Sequence, residues 1–456
     1  MFLPIMLGAV EGGAVAVIAN VTFDSIVPAK WLGLAVAILS GAPAFANITS
    51  FFWASVSHGK HKIRFLMGLQ IGASLLVAMI AAAPHSPLGL VMLVVGAVGA
   101  RMCWAGVVTL RSTVWRANYP QRMRARMAGS LAIVQAIMLS GAGLAIGLTM
   151  RQDPGSFHWL YPLAAMMGLL GASLYGKVRM RGHSALLRAE HEDRAGRRIA
   201  VTPAELWRIL WSDASFRKYM GAMFVFGIGN LSVSAPLVII LKERFGYGYL
   251  EGILIMQSIP YIVIPLTVPM WSRLFDRMHI IEFRSIHCWS FITANILFLI
   301  AAVLVNVPLL WIAAACRGVG FGGGILGWNL GHHAFTTTLN ASKYMGVHVT
   351  LTGVRGLIGP LASVGLYHTF ESISPGSGPW VLAICIGLTF LGAAGFFHLR
   401  HQLRRERQEA MKAVRSDLDD DDHGRPNSTV NGSADGDAPR DDAATPPASS
   451  TATARE

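Results

Sequence analysis

Long apolar runs separated by short polar stretches dominate the chain, and twelve of them approach the roughly twenty residues an α-helix needs to cross a bilayer. They fall at about residues 3–25, 32–54, 64–84, 88–110, 128–150, 157–177, 219–241, 252–271, 284–305, 308–330, 344–367 and 379–398. A lipid-embedded backbone finds no water to bond, so segments of this length close their hydrogen bonds internally as helix. The pattern predicts an all-α membrane protein of twelve transmembrane helices.

The polar stretches sort into two alternating sets. One carries Lys60, Lys62 and Arg64, a cluster from Arg111 to Arg126, the long loop 178–218, then Arg273, Arg277 and Arg284, then Lys343, then HLRHQLRRER after the last run. The other, around Lys30, PHSP, Arg151, Lys242 to Arg244, Asn306 and Glu371, is poor in cations. Lysine and arginine accumulate in cytoplasmic loops, which puts both termini and the central loop in the cytoplasm and the protein in the cell inner membrane. The expected organisation is an N-terminal six-helix bundle over 1–177, a cytoplasmic loop over 178–218, a C-terminal six-helix bundle over 219–399, and a basic juxtamembrane segment with an acidic tail over 400–456. Within the loop, TPAELWRILW reads as a short interfacial helix with Thr202 as N-cap, Pro203 at its first position and Glu205 three residues after the cap. Beyond residue 400, RHQLRRERQEAMKAVR is basic and helix-favouring, whereas DLDDDD and the Pro-, Ser- and Ala-rich remainder read as disordered.

Composition acts mainly by exclusion. The chain is 53% hydrophobic and 14% charged, against roughly a quarter charged in soluble domains. Its net charge of +13 lies in short clusters between apolar runs rather than in one patch with interleaved aromatics, so no nucleic-acid partner is expected. Cys103, Cys288, Cys316 and Cys385 have no paired spacing, so neither a disulfide frame nor a zinc site is indicated. The first run lacks a basic leader and carries Glu11 in its centre, which reads as a first spanning helix rather than a cleaved signal peptide.

The two halves overlay in pattern with a shift near 216 residues, bringing Arg101 onto Arg317 and the first span onto the seventh. Parallel halves with a site between them near the midplane are a recurring transporter plan. With its twelve spans and long central loop, the chain resembles the major facilitator superfamily. The loop after the family's second helix usually carries a glycine, Asp-Arg, then a glycine and basic residues. Here the second-half copy, WSRLFDRMH, supplies Asp276 and Arg277, while the first-half copy, WASVSHGKHKIR, has His58 and Gly59 with no acid. The resemblance implies a cytoplasmic gate at His58, Gly59, Asp276 and Arg277. In VGARMCWAG, Arg101 sits where the family's fourth-helix arginine usually lies, with Gly106 one residue late. The segments VWRANYPQRMRAR, CRGVGFGGGILGWNLGHHAF and YMGVHVTLTGVRGLIGP also look like a bacterial branch of the superfamily.

Charged residues at membrane depth mark candidate function. At about 1.5 Å per residue, Glu11, Arg317 and Arg355 come near the bilayer centre, and Arg101 slightly toward the cytoplasm. Three deep arginines therefore face one deep carboxylate. In the eleventh span Tyr344, His348, Thr352 and Arg355 recur on one helical face, as expected for a bundle interior or water-filled path. These seven residues are the candidate substrate and proton site, with Arg355 facing a central cavity. The structural alternative is that such arginines bond carbonyls of a neighbouring helix, or Glu11, and lock the bundle. Among smaller polar residues, Asn47, Gln70, Gln135, Asn230, Ser234, Gln257 and Tyr261 read mostly as interhelical hydrogen-bonding groups.

The leading expectation is a secondary active transporter working by alternating access. It would move a small anionic or zwitterionic solute, with protons as candidate coupling ions and Glu11 as their carrier, paired to Arg101 or Arg355. The alternatives are a multidrug or metabolite exporter of the same fold, and a non-transporting membrane sensor or assembly protein. No GxSxG, HExxH or paired-carboxylate constellation is present, so an enzyme is not expected. No cofactor or metal is called for, and a monomer in the lipid bilayer is the expected state.

Overall fold

The computed structural model describes residues 2–119, 121–196, 203–336 and 341–423. Within these the regular structure is entirely helical. Twelve helices are long and apolar enough to cross a membrane, and they are numbered here as spans 1 to 12. The first six are Phe2–Thr22, Ala29–Ser57, Lys62–Ile80, Pro87–Trp115, Gly129–Gln152 and Pro154–Gly176. The second six are Ala214–Glu243, Tyr249–Phe275, Ile280–Leu304, Val307–Phe335, Tyr344–Ile373 and Gly378–Lys412. Every apolar run of the sequence coincides with one of them. Large side chains such as Leu75, Met166, Leu266 and Leu391 point outward and are exposed, as suits a surface facing lipid tails.

Two spans are interrupted. The sequence pattern predicts an unbroken first helix, but span 1 consists of Phe2–Ala9 and Gly12–Thr22, with Glu11 at the junction in an extended backbone conformation. The pair Gly12–Gly13 has weak helix propensity. It also admits close neighbours: a Cβ on Gly12 would lie 2.8 Å from the Ser40 carbonyl oxygen, and one on Gly13 2.8 Å from that of Met256. Span 7 likewise divides at Val233 into Ala214–Ser232 and Ser234–Glu243. Span 8 contains a π-helical turn at Leu254–Ser258, the kind of irregularity that often accompanies function.

The first and second six spans meet along two seams. In one, span 2 packs on span 11, where Gly41 faces the Gly356 backbone and Gly356 faces Ala44. In the other, spans 5 and 8 join through the π-turn. Gln257 Nε2 donates to the Leu139 and Gly8 carbonyls at 2.9 and 3.3 Å, and Ser140 Oγ donates to the Ser258 carbonyl at 2.8 Å. At the face away from the central loop, five polar contacts link the halves. Lys242 Nζ meets Asp24 at 2.5 Å and the Asn20 carbonyl at 3.1 Å. Asn20 Nδ2 donates to the Val238 carbonyl at 3.3 Å, Thr22 and Tyr249 hydroxyls lie 3.1 Å apart, and Arg151 meets Glu251 at 3.5 Å. Among the described residues, every ion pair between the halves lies at this face, which is therefore the closed one.

The central loop carries helices His183–Gly196 and Pro203–Ser212. The second begins at Pro203, as its N-terminal signature predicts, and exposes Trp207 and Trp211; Thr202 lies outside the described residues. The last helix runs from Val381 to His423, so Asp417 to His423, read from composition as disordered, are helical. Extending an existing helix needs no new nucleus, which offsets the weak propensity of the aspartates. Residues 403–423 form part of a separate unit by their contacts, and the rest of the acidic tail lies outside the described residues.

Candidate functional site

The interruption of span 1 is what builds the central site. Breaking a membrane helix frees carbonyls that must be satisfied within the protein. Here Arg101 of span 4 meets them: its Nε donates to the Val10 carbonyl at 2.8 Å, and its Nη2 adds a 3.4 Å contact to that of Leu7, which also accepts from the Val10 amide at 3.1 Å. The same guanidinium pairs with the Glu11 carboxylate, and both residues are over nine-tenths buried. Of the two partners open to Glu11 from sequence, the fold selects Arg101. The arginine also locks backbone, as the structural alternative anticipates.

The second half contributes to the same place. The Tyr261 hydroxyl, from the helix following the π-turn, faces Glu11 and lies within electrostatic reach of Arg101 and Arg317. Arg317 donates from Nη2 to Ser234 Oγ at 2.5 Å, at the interruption of span 7. Its guanidinium lies 5.6 and 5.9 Å from the Phe321 and Phe298 ring centres, a cation–π arrangement, and its Nη1 has no hydrogen-bond partner. Glu11, Arg101, Tyr261, Arg317 and Ser234 thus form a charged centre drawn from both halves.

The stripe of span 11 is elsewhere. Arg355 donates to the Met223 carbonyl of span 7 at 2.5 Å and to Thr352 Oγ1 at 2.9 Å, and lies over Gly227, where a Cβ would meet its guanidinium. Thr352 in turn donates to the His348 carbonyl at 2.8 Å. Tyr344 sits at the end of the span, donating to Asp213 Oδ2 at 2.9 Å, while Asp213 Oδ1 caps span 7 at the Phe216 amide. Arg355, His348 and Thr352 are buried within the second half, and their hydrogen bonds do not reach Glu11.

The sequence profile of the Major Facilitator Superfamily matches residues 2–360. The chain belongs to this superfamily. Solved structures agree in fold across 87% of the chain. They include a crystal structure of a point mutant of the nucleoside transporter NupG, with TM-score 0.64, 13% identity and 98% of that chain covered. A POT family transporter in complex with a thioalcohol-conjugated peptide gives TM-score 0.61, 16% identity and 96% covered. The human organic anion transporter MFSD10 gives TM-score 0.55, 12% identity and 97% covered. No curated protein matches the sequence significantly. This superfamily member is a multi-pass membrane transporter by family and fold, not an enzyme.

The family's loop motif gains a residue that the sequence reading missed. Glu190, on the loop helix His183–Gly196, comes to the first-half copy of the motif. Its carboxylate accepts from the Gly59 amide at 2.7 Å and Lys62 Nζ at 2.8 Å, with His58 Nδ1 at 3.9 Å. A carboxylate from the central loop therefore occupies the surroundings of His58, where the family pattern leads one to expect an acid in the motif itself. Gly59 has a positive φ of 69°, which glycine adopts without strain. His183, beside His61 with ring centres 4.0 Å apart, is held below the usual histidine range by burial, His61 and Lys62, with Glu190 opposing. In the second-half copy, Asp276 and Arg277 are exposed.

Two further residues escaped the sequence reading because they were counted as loop or core. Arg284 and His287 lie one turn apart on span 9, and both are buried. The i, i+3 spacing of a cation and an imidazole within an apolar run was the available signal.

Proposed function

We propose that this protein is a proton-coupled secondary transporter of a small anionic or zwitterionic solute. The observation that carries the reading is the Glu11–Arg101 pair at the break of span 1, facing Tyr261 from the other half, with Arg317 within that tyrosine's electrostatic reach. In this mechanism, protonation of Glu11 releases the Arg101 guanidinium, which then offers charge-assisted donors to an anionic group of the substrate. Arg317, with Nη1 unpartnered, offers the second positive contact from the opposite half. Substrate binding between the halves favours their rocking about the seams formed by spans 2 and 11 and spans 5 and 8. The polar contacts at Lys242, Asp24, Arg151 and Glu251 then separate as the closed face opens. The bias of lysine and arginine assigns the face bearing the central loop to the cytoplasm and the protein to the cell inner membrane. His58, Gly59, Asp276 and Arg277 line the loops that move on that side.

The test uses purified protein in proteoliposomes containing a trapped pH dye, challenged with a panel of small organic anions, zwitterions and amphipathic cations. The expected result is solute-driven acidification by at least one anion or zwitterion, abolished by Glu11→Gln. Solute flux with no proton movement, or equal proton movement in wild type and Glu11→Gln, would reject the mechanism.

A further inference from the structure

We propose that the second six-span half carries a binding site for a doubly charged oxyanion of the phosphate class, built on Arg284, His348 and Arg355, with Tyr219 and His332 completing its donors. All five side chains are over nine-tenths buried. Each keeps a buried polar atom with no hydrogen-bond partner: Arg284 Nε, His348 Nε2, Arg355 Nε, Tyr219 Oη and His332 Nδ1. Buried polar atoms of a folded protein are nearly always satisfied, so five in one neighbourhood point to a ligand.

They come from four spans and converge. Arg284 lies over Gly327 of span 10, where a Cβ would be 2.7 Å from its Cζ. The next residue, Trp328, has its ring centre 5.8 Å from that of His348 on span 11. His348 is within electrostatic reach of Arg284, His332 and Arg355. Arg355 is within reach of Arg284 and Tyr219. A Cβ on Gly331, beside His332, would lie 3.0 Å from the Tyr219 hydroxyl.

The charge of this cluster fixes the ligand class. No carboxylate is among the groups acting on Arg355, His348 or His287. Asp213, at the rim, is engaged by Tyr344 and the Phe216 amide. The planar forks of two guanidinium groups suit the oxygens of a phosphate. Arg101 is fully partnered within the protein, its Nε and Nη2 bonding two carbonyls and a carboxylate. Arg284 instead has only a 3.5 Å contact from Nη1 to His287 Nδ1. The site is separate from the Glu11–Arg101 centre, and the inference holds whether or not Glu11 carries protons.

The full-length protein in detergent is titrated with inorganic phosphate, with chloride at matched ionic strength, and, in a separate arm, with phosphatidic acid. Thermal unfolding and the protection of Arg284 and Arg355 from phenylglyoxal, mapped on peptides, are the readouts. Phosphate or phosphatidic acid is expected to raise the unfolding temperature and slow modification of both arginines, and the effective arm identifies a free phosphate or a lipid headgroup as the source. Arg284→Gln and His348→Gln are each expected to weaken binding about tenfold or more, the loss of one hydrogen bond to a charged group, while Lys30→Gln, at an exposed position, leaves it unchanged. Should a variant fail to fold, protection of the wild-type arginines decides the matter alone. The proposal is overturned if neither ligand acts differently from chloride, or if folded Arg284→Gln binds as wild type. Because binding is read in detergent, the absence of flux in proteoliposomes would leave this result intact.

Discussion

At a shift of 216 residues, Arg101 of the first half falls on Arg317 of the second, and the buried carboxylate Glu11 falls on Gly227. Both arginines approach the interruption of a neighbouring span, but their surroundings differ. In the first half the guanidinium meets two carbonyls and a carboxylate, so its charge is neutralised in place. In the second half, Arg317 meets a serine hydroxyl and two aromatic rings, and Gly227 only makes room for another cation, Arg355. The pseudo-repeat thus preserves backbone architecture while its charges diverge: one half pairs its buried arginine with a carboxylate, and the other gives its buried arginines hydroxyl, carbonyl and aromatic partners.

The sharpest way to break the comparison is to remove the arginines in turn. Arg101→Leu leaves Glu11 without its cation and the Val10 carbonyl without its donor, a loss expected to destabilise the fold by about 3–5 kcal/mol. Arg355→Leu removes a charge with no carboxylate partner and is expected to cost far less. Thermal unfolding in detergent measures both, and equal losses would mean that the contrast in pairing has no energetic content. Next in size, Gly227→Ala forces a Cβ against the Arg355 guanidinium and is expected to cost about 1–3 kcal/mol, whereas Gly221→Ala, which meets nothing within 4 Å, should be neutral.

Smaller effects sharpen the picture at the two faces. Lys242→Ala removes a half-exposed ion pair and the bond to Asn20. An exposed pair is worth up to about 1 kcal/mol, or roughly fivefold in population, so labelling of Val21→Cys from the closed face should rise by no more than that. Unchanged labelling would show that Lys242 does not help to hold that face shut. The smallest effect concerns pH. Because the folded state holds His183 below its unfolded value of about 6.5, the stability it contributes is complete above that value and is lost as pH falls through the lower folded value. Docking of the loop helix against His58, His61 and Lys62 through Glu190 is thus expected to weaken at acid pH. Exchange of the Gly59 amide, corrected for its intrinsic rate, should be faster near pH 5 than near pH 7.5; a pH-independent rate would remove His183 from this role.

Twelve apolar runs, their alternating cations and the buried charges at 11, 101, 317 and 355 were legible in the sequence because bilayer thickness and the desolvation of charge act on local composition alone. The fate of each charge was not legible, since Glu11 had two eligible arginines and only helix packing chose between them. The sequence pattern predicts an unbroken first helix although Gly12–Gly13 was an available signal of the break, and the consequence, a freed Val10 carbonyl facing Arg101, depends on a partner about ninety residues away. Glu190 could not have been foreseen as the acid beside His58, because it arrives from a loop through tertiary contact. Arg284 looked like one more topological cation until span 9 turned it inward. Sequence by itself determined which segments enter the membrane and how much charge they carry there; only the tertiary structure decided which charges neutralise one another, because that depends on distances of a few ångströms between helices far apart along the chain.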